Sequence, residues 1–200
     1  MMERKEKKQR IIDAARQCFA RYGYEKTTME DIGKQVGLNK TSLYHYFNNK
    51  DKIFSKVILQ ERIEYFETIR LKLKSKKKCN EIILTYLKER LLFLAKVPSL
   101  ASLSIEMILK KHHVFEEQND FFYKAELAFL NEIIKDCIEK GQFKECDSYQ
   151  VAQSIITIAD ALKMKAVENL NVTHITEINF SEFSDELLYT VSLILDGLKK

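Results

Sequence analysis

The chain has 200 residues, 46% hydrophobic and 31% charged, with a formal charge of +4 at pH 7, a balance that excludes a disordered polar segment and predicts a folded chain with a sizeable core. No apolar run approaches the roughly 18 residues that span a bilayer, and the charged opening MMERKEKKQR lacks the apolar stretch of a secretory leader, so a cytoplasmic protein with no membrane partner is expected. One proline, five glycines and scarce apolar–polar alternation predict an all-α fold.

From the N-terminus, Ile11, Ile12, Ala15, Cys18, Phe19 and Tyr22 recur at helical spacing, and Gly23 ends the pattern. In Thr28-Met29-Glu30-Asp31 an acid follows a threonine by three residues, the spacing of a capping box. A short helix is expected from there, with Ile32 and Val36 inward and Gly37 just past its end. Asn39 then caps a third helix, Lys40 to Phe47. Two short helices about a glycine turn describe a helix-turn-helix, but an ordinary helical hairpin shows the same pattern.

The third helix separates the two readings. Leu43 and Phe47 share its inward face, Thr41 and His45 lie opposite, and Ser42, Tyr46 and Tyr44 flank that outer face. A solvated face would carry Glu, Lys or Gln. Small hydroxyls and an imidazole instead suit the base edges of a major groove, and the tyrosines reach phosphates on its walls. Asn48 is expected to cap a fourth helix, whose first N–H groups and the Lys50 ammonium would form a phosphate site. The charge distribution agrees: residues 1–50 hold 11 Lys/Arg against 6 Asp/Glu, a net of +5, while the other 150 hold 22 against 23. A basic head on a near-neutral body predicts double-stranded DNA as partner.

The run F-A-R-Y-G-Y-E-K-T-T-M-E-D-I-G-K-Q-V-G-L-N-K-T-S-L-Y-H-Y-F-N-N-K-D-K-I-F, Phe19 to Phe54, resembles the DNA-binding signature of the TetR family of bacterial transcriptional regulators. The resemblance rests on Gly-Tyr, Thr-Thr-Met, Asp-Ile, the turn glycine, Leu-Tyr-x-Tyr-Phe and the lysine that follows. It implies backbone contacts by Thr28, Tyr44, Tyr46 and Lys50, and groove contacts by Lys40, Thr41, Ser42 and His45. It further implies a DNA-binding domain over 1–50, a helical ligand-binding and dimerisation domain over 51–200, and a repressor released from an inverted-repeat operator by a small molecule. Gly33 stands where the family usually has alanine; in a helix interior glycine costs on the order of 1 kcal/mol, yet it still lets helices cross closely.

A long helix is expected over 50–73, ending in the lysine-rich connector Arg70 to Asn80, then helices near 80–96, 98–110, 113–140, 148–170 and 182–199. The third of these could restart at Asn119-Asp120; Asp147/Ser148 and Ser181 are the expected caps of the last two. Those last two helices carry apolar stripes wider than one core needs: Val151, Ile155, Ile158 and Leu162 on one, Phe183, Leu187, Val191, Ile194 and Leu198 on the other. A homodimer through these helices is expected, as the resemblance also implies. An inducer pocket implied inside the bundle would draw on Tyr86, Phe93, Met107, Phe115, Phe122, Phe129 and Met164, a hydrophobic set that ordinary core packing also explains.

Three other readings compete. His112 and Glu116 have the spacing to supply two ligands to a metal, but no catalytic or zinc motif accompanies them, so neither enzyme, metal nor cofactor is expected. Cys18, Cys79, Cys137 and Cys146 contain no C-x-x-C pair, which suits a reducing compartment. Cys79 follows three lysines that favour its thiolate, and Cys137 and Cys146 bracket Gly141, so a redox-sensing regulator is a second reading. A nucleoid-type binder without sequence preference is the third, and the Thr41/Ser42/His45 face argues against it.

Overall fold

The computed structural model describes residues 2–97, 99, 103, 106, 116–168 and 177–200. They form α1 (Met2–Lys26), α2 (Met29–Val36), α3 (Lys40–Tyr44), α4 (Lys50–Leu73), α5 (Cys79–Lys96), α6 (Glu116–Glu139), α7 (Ser148–Glu168) and α8 (Phe180–Leu198). Among the described residues there is no strand; one isolated bridge joins Phe143 to Lys199. The expected all-α fold stands. Of the helix expected over 98–110 only residues 99, 103 and 106 are described, and the start of the next one lies outside the described residues.

Two compact units divide the chain. The first gathers residues 2–64 and the described part of 94–118, so it takes the first half of α4. Ile11, Ala15, Phe19, Ile32, Leu43, Ile53 and Val57 are fully buried in it. Phe19, Tyr24 and Phe54 add an aromatic cluster with centroids 4.6–5.8 Å apart. Gly23 (φ 77°) breaks the regular helix of α1, and the Thr27 hydroxyl donates to the carbonyls of Gly23 (2.7 Å) and Cys18 (3.2 Å), closing that end. Arg16 of α1 pairs with Glu64 and, at 3.1 Å, with buried Glu61 of α4. Ser99 donates to the same Glu61 oxygen at 2.9 Å.

α2 is short because both ends are closed locally. Thr28 and Asp31 form the expected capping box, and Gly37 (φ 71°) takes the left-handed conformation that few other residues tolerate. The turn is tight: the Leu38 N–H donates to the Gly33 carbonyl at 2.8 Å, and a methyl built on Gly33 would sit 2.7 Å from the Leu38 oxygen. Gly33 is therefore where the turn folds back on its own helix. Gly33→Ala gains about 1 kcal/mol of helix propensity but forces the turn apart at a cost of about 1–3 kcal/mol. We expect a net loss of stability, read as a lower melting temperature.

The second unit holds 65–93, 119–168 and 177–200 of the described chain. α7 and α8 pack against one another, and α5, α6 and α7 are tied by a buried charge cluster. Arg90 donates Nε and Nη2 to Glu126 (3.0 and 3.1 Å) and Nη2 to Asp160 (2.9 Å), while Lys163 donates to the same Asp160 oxygen at 2.7 Å. A disulfide joins Cys79 to Cys137, with Cα atoms 5.9 Å apart, fixing the start of α5 to the end of α6. Of the two cysteines that bracket Gly141, Cys137 is therefore the one in a disulfide and Cys146 stays a free thiol; Gln142 accepts from the Cys79 N–H at 3.0 Å, drawing the 141–143 turn and the start of α5 together.

Three boundaries also differ from expectation. α6 runs unbroken through Asn119-Asp120. α8 starts at Phe180, because Asn179 caps it by accepting from Ser181 N at 3.2 Å. α3 stops at Tyr44; His45 and Tyr46 continue as a turn, with Tyr46 and Phe47 N–H groups both donating to Leu43 O.

Candidate nucleic-acid interface

The expected two-sidedness of α3 follows from where its apolar residues must go. Leu43 is fully buried and Phe47 nearly so, while Lys40, Thr41, Tyr44 and His45 are exposed and Ser42 and Tyr46 half-buried. Asn39 Oδ1 accepts from Ser42 N at 2.8 Å, which fixes where the helix starts and so which residues face outward. Burying Leu43 orients the rest: 100° per residue carries Thr41 and His45 to the solvent side. The structure thus groups Lys40, Thr41, Ser42, Tyr44, His45 and Tyr46 along one short segment, with no acidic side chain among them.

Thr28 and Lys50 are engaged within the fold in different ways. The Thr28 hydroxyl donates to Asp31 Oδ2 at 2.6 Å, and Thr28 N donates to the same oxygen at 2.9 Å. Those two bonds hold the Asp31 carboxyl below its usual range. Lys50 points its ammonium at the carbonyls of Tyr24 (2.7 Å), Thr27 (2.8 Å) and Glu25 (3.3 Å), and lies 4.2 Å from the Tyr24 ring centroid. Its three donors fasten the start of α4 to the end of α1. Asn49, not Asn48, caps α4, accepting from Lys52 N at 2.8 Å. Tyr24 donates to Asp51, and burial together with that bond pushes its hydroxyl pKa well above the ordinary range.

The expected pocket residues divide. Tyr86 is fully buried and meets Phe129 at 5.4 Å; Phe66, which the sequence reading did not single out, closes the group at 5.2 and 6.3 Å. Phe93 pairs instead with Tyr65 at 5.6 Å, Phe122 is buried beside Phe121, and Met164 is exposed. Met107 and Phe115 lie outside the described residues, as do His112, His113 and His174 and the side chain of Glu116. Of the nine expected dimer residues, Ile155, Leu187, Val191 and Leu198 are buried within the chain, and Val151, Ile158, Leu162, Phe183 and Ile194 are half-buried. Among the described residues, the large apolar side chains most open on those two helices are Tyr149, Met164, Tyr189 and Leu193. Among the described residues no helix is long and apolar enough to cross a membrane.

Residues 11–57 match the family described as bacterial regulatory proteins, tetR family. The fatty acid metabolism regulator protein of Bacillus subtilis (strain 168) is 24% identical over 156 residues, 78% of this chain and 80% of that protein. Several HTH-type transcriptional repressors match over a shorter stretch, from 26% to 33% of their own length. The crystal structure of a transcriptional regulator from Cytophaga hutchinsonii superposes with a TM-score of 0.77 at 25% identity, covering 95% of this chain and 97% of that one. The regulator FadR of Bacillus subtilis, solved in complex with stearoyl-CoA, shares the fold with a TM-score of 0.61 at 22% identity, covering 92% and 96%.

Proposed function

Because the chain belongs to the TetR family of bacterial regulatory proteins, we propose that it is a cytoplasmic, sequence-specific repressor that binds double-stranded DNA as a homodimer and is released by a small hydrophobic ligand. The observation that carries this reading is the outer side of α3, where Thr41 and His45 stand exposed on a helix fixed by buried Leu43 and by the Asn39 cap. Thr41, Ser42, His45 and Lys40 read base edges, and Tyr44 and Tyr46 grip phosphates. Lys50 and Thr28 act mainly by holding α2 and α4 in place, and the first N–H groups of those helices meet the backbone.

One short helix reads too few base pairs for a useful preference, so two copies are required. Tyr149 and Met164 on α7, with Tyr189 and Leu193 on α8, supply apolar surface from two packed helices for the second copy, and the half-buried Ile158, Leu162 and Ile194 extend it. A two-fold pair then reads an inverted repeat with half-sites about 34 Å, or a multiple of that, apart.

The ligand class follows the apolar, aromatic character of the second unit and the relative whose name places it in fatty acid metabolism. A long acyl chain is the proposed occupant, and stearoyl-CoA is the probe. The Ser99–Glu61–Arg16 chain supports a route from the segment after α5 to α1: a shift of Ser99 alters how Glu61 holds Arg16. Titrating stearoyl-CoA into the protein–operator complex tests the ligand. Release of the duplex at saturation is expected; an unchanged operator affinity with ligand bound rejects long acyl thioesters as the inducer.

A further inference from the structure

α1 begins well before the core it serves. Ile11, Ala14, Ala15 and Cys18 form its buried side, spaced by three and four residues. The same spacing continued backwards reaches Lys8, Lys7 and Arg4. The side that is apolar over the core therefore turns cationic where the helix projects beyond it. Acidic and amide side chains sit across the helix: Glu6, Gln9 and Asp13 share the other side, where Gln9 donates to Asp13 at 2.9 Å and to Gln60 of α4 at 2.8 Å. Arg4 and Lys8 have no acidic partner among the described residues; Lys7 has Glu3 at 2.9 Å.

This cationic side borders the reading surface. The Lys8 ammonium lies 5.8 Å from the centroid of Phe47, just past the end of α3. Lys7 is held above the ordinary ammonium range first by its hydrogen bond to Glu3 and by that carboxylate's charge, with Tyr46 near enough to add to the effect. On its other flank Lys7 joins Arg10, Ile11, Val36 and Leu38 around a crevice of about 40 Å³ beside the glycine turn, room for only a few waters. Arg4 to Ile11 spans ~10 Å of helix, enough to follow consecutive phosphates of one strand.

We propose that Arg4, Lys7 and Lys8 form a second DNA-binding surface, gripping backbone phosphates that flank those met by Tyr46 and so extending each half-site contact beyond the reading helix. The proposal rests on the DNA-binding reading above. Its charge sign and its continuity with Tyr46 and Phe47 select a polyanion already seated on α3. These contacts add affinity and salt dependence but no base preference.

The test measures affinity for the selected operator over a series of salt concentrations, for the wild type, for Arg4→Gln/Lys7→Gln/Lys8→Gln and for Lys7→Arg/Lys8→Arg. Removing one cation from a phosphate flattens the dependence of log affinity on log salt by about 0.9. The triple variant should therefore flatten it by about 2 to 5 for the dimer and bind roughly tenfold or more weakly at physiological salt, with the preference for operator over random duplex and the melting temperature unchanged. The arginine variant should keep the wild-type slope. A triple variant with wild-type slope and affinity overturns the proposal while leaving the regulator reading intact. A wild type that prefers no duplex overturns both.

Discussion

Arg90→Met should destabilise the protein by about 3–5 kcal/mol, lowering the melting temperature by about 10 °C for a chain of this size. The reason is burial: the Glu126 side chain is 7% exposed and that of Arg90 11%, and Arg90 supplies the two ionic hydrogen bonds to Glu126. Without the guanidinium this buried carboxylate loses both of those bonds inside the second unit. Asp160 suffers less, because it is partly solvated and Lys163 still holds it. Removing both members of the buried pair, as in Arg90→Met/Glu126→Leu, should recover most of the stability, since the buried carboxylate that lost the guanidinium is removed with it. Thermal and urea unfolding of the two variants decide it. Equal destabilisation in the single and double variants would mean that the cluster matters for packing alone.

The second large effect concerns recognition. Thr41→Ala/His45→Ala should weaken binding to the operator by about 2–4 kcal/mol, roughly 30- to 1000-fold, if each residue contributes about 1–2 kcal/mol of base discrimination. Binding to random duplex should hardly change, because phosphate contacts supply it. Tyr44→Phe should do the opposite, weakening operator and random duplex alike by removing one hydroxyl at the groove wall. The folded state should tolerate all three changes: Thr41, Tyr44 and His45 are exposed, and the inward anchor of the helix is Leu43. Competition assays with both duplexes at one salt concentration separate the two behaviours.

The fold of α2 and α3 was legible in the sequence because its determinants are local. Thr28 meets Asp31 three residues away, Asn39 meets Ser42 across the same interval, and Leu43 and Phe47 mark an inward side by their spacing alone. Adjacent residues of equal chemistry defeated it: Asn48 and Asn49 both qualify as caps, and only the chain's path selects Asn49. Long-range partners were equally hidden. Arg90 reaches Glu126 and Asp160 over 36 and 70 residues, and Cys79 reaches Cys137 over 58, with no periodicity connecting them. Lys50 illustrates a subtler limit, because a lysine at a helix start reads as an anion site until the carbonyls of Tyr24, Glu25 and Thr27 are seen to claim its protons. In α7 and α8 the sequence revealed how much apolar surface exists but not its allocation. Ile155, Leu187, Val191 and Leu198 are spent on the chain's own core, leaving Tyr149, Met164, Tyr189 and Leu193 outermost.

Selection of duplexes from a random pool at physiological salt decides whether α3 reads bases. Enrichment of an inverted repeat is expected, with half-sites about one helical turn, or a multiple, apart, and Thr41→Ala/His45→Ala should erase that enrichment. A pool that emerges unenriched, with binding that fades steeply as salt rises, would contradict base reading by α3 and leave a basic head that grips phosphate without reading sequence.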